Sequence, residues 1–221
     1  MKLLAKLQNN KGTISTALGK ELAAQVLTAD LNLDLLKELI SFCIFETNNR
    51  WAKNIRATAA KAVEIVAEQK PKLVAPYLKD LLVALSVNEP QTRWMIIAVF
   101  GLCAQENPTV ARRGIGFAQN YLAKRQGVCL SGAAALCLGK IGALSIADAK
   151  KSFLILMKAL PEALPNEVDW ILEAFLCFLD KLDQKKQKEL FSLVSKYENA
   201  PKKITQKRVA KILEMLSCSK K

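Results

Sequence analysis

The chain has 221 residues, of which 51% are hydrophobic, 24% charged and only 6% aromatic, with a net charge of +13. Few aromatics, nine Gly and seven Pro argue against a β-sandwich and suit helices. The absence of His removes His-based triads and His-ligated zinc. The positive field attracts polyanions (nucleic acid, acidic proteins or anionic lipid), unless the lysines serve solubility alone.

In chain order, the opening run Met1–Leu7 is too short to be a signal peptide. The next apolar face, Leu18–Ala24, loosely fits a phase that then repeats. First helices are expected near Leu33–Phe45, Pro71–Val87, Pro108–Lys124, Ser145–Leu160 and Gln184–Tyr197. Each precedes a second helix, beginning near Arg56, Arg93, Ser131, Asp169 and Lys207, at spacings of 37, 38, 38 and 38 residues. After each of these positions, small and apolar residues recur three and four apart, as one buried helix face requires. Pro71, Pro108 and Pro201 fall where a first helical turn needs no backbone N–H. Asn88-Glu89-Pro90-Gln91 and Ser145-Ile146-Ala147-Asp148 read as capping boxes. The longest apolar run, Trp94–Ala104, is about half of what spans a bilayer, so the expectation is a soluble, cytoplasmic protein.

Six cysteines are present, and no two of them form a C-x-x-C pair. Cys43, Cys103, Cys129, Cys137 and Cys177 sit in apolar helical runs and read as buried, reduced thiols, with Cys218 near the end. No metal or other cofactor is expected. Gly114-x-Gly116 and Gly139-Lys140-Ile141-Gly142 follow no strand and match no phosphate loop, so they read as sites of close helix packing.

A two-helix unit of 37–38 residues resembles the HEAT family. The match is carried best by Pro71, Leu73, Pro76, Leu78, Leu81, Leu82 and Leu85, followed by Arg93, Ile97, Gly101 and Leu102. The resemblance covers about Leu18 to Leu216. It implies one domain over residues 1–221: an all-α, right-handed α-solenoid of about five and a half hairpins, with second helices lining a concave face. Repeat 4 departs from the family with Ser131 at its Arg position, and repeat 5 with Asp169. The family's His-rich di-iron hydroxylases are excluded by composition.

Candidate binding residues follow from position. Arg56 and Arg93 occupy the family's Arg position, which implies an internal ion-pair ladder; ligand contact is the other reading, and Glu46 and Glu89 are conceivable partners. Trp94 and Trp170 each follow that position, and Trp51 lies just before Arg56. They read either as packing residues or as platforms for stacked bases. Asp169-Trp170 resembles the HEAT-like alkylpurine DNA glycosylases, although their Trp-rich motif is missing here. Lys202, Lys203, Lys207, Arg208 and Lys211 form either a polar end cap or a patch for phosphates or acidic peptides. Arg112, Arg113, Lys124 and Arg125 make a second basic group, and Arg50, Lys53 and Arg56 a third. The expected function is a non-enzymatic scaffold offering a partly basic helical surface to an acidic protein, with nucleic-acid binding as the alternative. A third possibility is an adaptor inside a larger assembly, signalled by apolar surface exposed at Met1–Gln8.

Overall fold

The computed structural model describes residues 2–8, 16–45 and 52–218. Every regular element among them is helical. None of their helices is long and apolar enough to cross a membrane. The chain divides into two compact units, Met1–Gly114 and Ile115–Lys221.

Unit 1 opens with α1 (Lys2–Gln8), α2 (Thr16–Val26), α3 (Leu33–Phe42) and α4 (Ala52–Gln69). Asn32 caps α3 by accepting from the Leu35 N–H at 3.0 Å. α4 runs uninterrupted because Ala-rich sequence costs little helix entropy. It stops at Lys70, whose backbone is extended before Pro71. Its buried face is mostly small (Ala57, Ala59, Ala60, Ala62, Val63, Val66), and α2, α3 and α7 pack closely against it. α1 packs on α4 as well, with Leu7 fully buried.

The segment expected as one helix from Pro71 to Val87 is instead broken. α5 (Pro71–Val74) passes through a 3₁₀ turn, Ala75–Tyr77, into α6 (Leu78–Leu81), and a second 3₁₀ turn covers Val83–Ser86. Pro76 is the cause: it offers no N–H and its ring crowds the carbonyl four residues back. α7 (Pro90–Leu102) and α8 (Pro108–Ala111) complete the unit. Asn107 caps α8 by accepting from the Val110 N–H at 3.3 Å, and its amide also donates to the Ala75 carbonyl at 3.0 Å. The expected capping box at Asn88 does not form. Glu89 is the N-cap of α7 and makes no side-chain cap bond, because its carboxylate is engaged elsewhere.

The expected helix Pro108–Lys124 is likewise divided, by a turn at Arg112–Arg113. It resumes as α9 (Gly114–Lys124). Unit 2 continues with α10 (Val128–Gly142), α11 (Ile146–Ala159), α12 (Val168–Leu176), α13 (Gln184–Val194) and α14 (Lys203–Cys218). Gly127, at φ +120°, makes the turn into α10 in a conformation that other residues rarely adopt. Ser145 caps α11 as the sequence suggests, accepting from the Asp148 N–H at 3.1 Å and donating to the Asp148 carboxylate at 2.5 Å.

The second helices begin within four residues upstream of the positions read from the sequence. Within unit 1, α2 packs on α4 and α4 on α7. Within unit 2, α10 packs on α12 and α12 on α14. Close approach explains the glycines. A Cβ on Gly139 would lie 2.8 Å from the Ala174 Cα, and one on Gly142 would lie 2.6 Å from the Phe178 ring. Gly116 and Gly127 differ, since an added Cβ at either would face open space.

Candidate functional site

Arg56 of α4 reaches across to the N-terminus of α7. Its Nε donates to Glu89 Oε1 at 2.5 Å, its second terminal nitrogen to Glu89 Oε2 at 2.9 Å, and its first to the Phe45 carbonyl at 2.7 Å. Thr92 Oγ1 adds a bond to Glu89 at 3.0 Å. Glu89 is only 5% exposed, so both carboxylate oxygens are satisfied inside the protein. This pins α4 to α7 and gives Arg56 an internal role. Arg93 and Trp94, on the first turns of α7, are half-buried. Glu46, Arg50 and Trp51 lie outside the described residues.

Unit 2 repeats the device between α12 and α14. Thr205 Oγ1 donates to Asp169 Oδ1, and Lys202 Nζ donates to Asn166 Oδ1 while lying 3.9 Å from Asp169 Oδ2. One turn further along both helices, Arg208 Nε donates to Glu173 Oε2 at 2.7 Å. Asp169 and Glu173 are four apart on α12, as Lys202, Thr205 and Arg208 follow one another on and before α14. The rungs therefore line one seam. Trp170 is 39% exposed, and its ring closes over Gly132 of α10, where a Cβ would sit 2.9 Å from Cγ and Cδ1.

Beside half-buried Arg93 and Trp94, the other eight candidate residues part into three groups. Arg56, Asp169, Lys202 and Arg208 are held by internal partners. Trp170 is seated on α10 with part of its indole in solvent. Lys203, Lys207 and Lys211 remain exposed on α14 and make no ion pair with any described residue. Four residues separate each from the next, so they stand in a single stripe. Exposed Ile204 and Met215 flank it on the same helix.

The sequence did not single out Asn166, Glu173 or Thr205 as rungs. The signal was present: Asp169–Thr205 and Glu173–Arg208 are separated by 36 and 35 residues, close to the repeat length. The second basic group is partly neutralised as well, since Arg125 pairs with Glu162 at 3.0 Å. Lys53 is exposed on α4.

A groove of about 600 Å³ runs along α2 and α4, lined by Lys20, Ala24, Leu27, Lys61, Ile65 and Glu68 among others. Lys61 at its edge pairs with Glu64 at 2.6 Å. Burial pushes the Glu64 carboxyl above its usual range, and the Lys61 ammonium offsets only part of that rise. Among the described residues no group of three His, Cys, Asp or Glu is placed to hold a metal ion. Burial pushes the Cys103 and Cys137 thiols up to about 12, and the Cys43 thiol is raised by the same cause. Cys129 departs from the sequence reading: it lies on the first turn of α10 and is exposed.

No family model matches the chain, and no curated protein is significantly similar to it. Among solved structures, the crystal structure of an engineered protein is similar, with a TM-score of 0.65. That likeness covers 98% of this chain and 96% of the engineered one at 14% identity. At such identity the likeness concerns the fold alone.

Proposed function

We propose that the protein is a non-enzymatic binding scaffold of the HEAT type, a right-handed α-solenoid whose second helices offer a partly basic surface to an acidic protein partner. The even spacing of the second helices, and their side-by-side packing within each unit, support the repeat reading. Preformed helices hold a ligand at little ordering cost.

One observation carries the choice of partner. The seam between α12 and α14 consumes Lys202 and Arg208, yet leaves Lys203, Lys207 and Lys211 in one stripe with no ion-pair partner among the described residues, beside exposed Ile204 and Met215. A row of cations with an apolar side chain near each end fits a protein segment that carries acids and a few hydrophobes, and the charge steers its approach.

The test is a pull-down from native lysate, with and without nuclease, using the wild-type chain and Lys203→Glu/Lys207→Glu/Lys211→Glu. The proposal expects protein partners that survive nuclease and are lost with the triple variant. Partners that vanish on nuclease treatment would overturn it in favour of nucleic acid.

That second reading has one observation behind it: Trp170 keeps part of its ring in solvent beside Asp169. Against a catalytic role, the Asp169 carboxylate already accepts from Thr205 and faces Lys202. Base excision on alkylated DNA that is abolished by Asp169→Asn would favour this alternative.

A further inference from the structure

We propose that the outer face of α11 and α13 docks on the surface of an anionic lipid bilayer, through a peripheral contact. Ile146, Lys150, Leu154 and Lys158 recur at intervals of four along α11 and so form one stripe. All four are exposed, with Ile146 at 73% and Leu154 at 64%. Lys151 adds a further exposed cation beside them. The acid of this helix, Asp148, is buried and bonded to Ser145, so the exposed face of α11 carries no negative charge.

α13 lies alongside and runs in the same direction. Near its start, the Asp183 carboxyl is held below its usual range by hydrogen bonds from the Lys186 ammonium and backbone N–H, and it also feels the charge of Lys150. At the far end, the Tyr197 hydroxyl donates to the Leu160 carbonyl at 3.0 Å. α13 contributes Lys185, Lys188 and the exposed ring of Phe191, with Glu189 as its exposed acid.

The pattern selects among polyanions. Ile146 and Leu154 stand eight residues apart with a lysine between them, so they make no continuous apolar patch for a protein core to cover. A headgroup layer accepts each aliphatic side chain singly while the lysines meet lipid phosphates. Duplex nucleic acid would gain nothing from the aliphatic side chains. The residues are distinct from the α14 stripe, so this face and the protein-binding surface can fail separately.

The experiment is co-sedimentation of the full chain with vesicles of phosphatidylcholine alone and of phosphatidylcholine mixed with phosphatidylserine. Binding is expected only to the mixed vesicles, weakening as salt rises. Lys150→Glu/Lys158→Glu should lower partitioning by at least about tenfold. Leu154→Ser should lower it severalfold without changing the salt dependence, because it removes insertion and not charge. Both sites are exposed, so the melting temperature should hold, and Lys207→Glu on α14 should bind like wild type. No binding to mixed vesicles would overturn the proposal. So would binding that ignores Leu154→Ser, which would mark the face as a generic cation patch suited to an acidic protein or nucleic acid.

Discussion

Both units join two second helices through a cationic or hydroxyl side chain and an acid, with the donor on the earlier helix in unit 1 and on the later one in unit 2, and they bury the joint to different depths. In unit 1 the Arg56 and Glu89 side chains are 15% and 5% exposed. In unit 2 those of Arg208 and Glu173 are 20% and 43% exposed. A buried charge that loses its partner keeps its desolvation cost, whereas a wet one is rescued by water. Ion pairs that join neighbouring helices in the two units therefore contribute unequally to stability, and burial separates them more than the identity of the paired groups does.

Removing α13 and α14 by truncation at Gln184 should break the comparison most severely. It strips Leu190, Val194, Val209, Ile212 and Leu216 from the core of unit 2, at about 2 kcal/mol for each side chain buried. Denaturant unfolding should show loss of the cooperative transition of unit 2, and an unchanged curve would refute the packing described. Next in size is Glu89→Ala, which strands Arg56 in a half-buried site and should cost about 3 kcal/mol. Gly139→Ala follows at about 2 kcal/mol, because the new Cβ meets the backbone of Ala174 and not a flexible side chain. Arg208→Ala should cost under about 1 kcal/mol, given the exposure of its partner. A loss as large as that of Glu89→Ala would show that exposure is a poor guide to these joints.

The smallest effect concerns pH. The Glu64 carboxyl is raised by burial, so above its ordinary range the folded state holds a proton more firmly than the unfolded state. Stability from this group is therefore greatest at low pH and falls as pH rises from the ordinary value through the raised one. Glu64→Gln should flatten that dependence in thermal melts recorded from acid to neutral pH.

Much of the helical layout is legible in the sequence, for an identifiable reason. A second helix packed between two others must present small and apolar side chains to both, as α4 does to α2 and α7 and α12 to α10 and α14, and that requirement writes a dense three-and-four pattern after Arg56 and Asp169. First helices face solvent on one side and tolerate interruption, so the break at Pro76 and the turn at Arg112–Arg113 pass unseen beneath a continuous apolar rhythm. The capping box at Asn88 fails because α7 begins one residue later, with Glu89 as its N-cap, and the Glu89 carboxylate is held by Arg56, a contact between residues 33 apart that no local motif encodes. The same limit applies to the candidate site. A run of five basic residues looks uniform in sequence, and only the register of α14 against α12 sends Lys202 and Arg208 inward and leaves the other three outward.

That division is tested most directly by placing Lys207→Glu and Arg208→Glu side by side, reading melting temperature and retention on an immobilised acidic polypeptide for each. Lys207→Glu should lose retention at an unchanged melting temperature, while Arg208→Glu should lower the melting temperature by setting two carboxylates against each other at Glu173. Equal melting temperatures with equal losses of retention would contradict the division of this basic segment into internal rungs and an outward stripe.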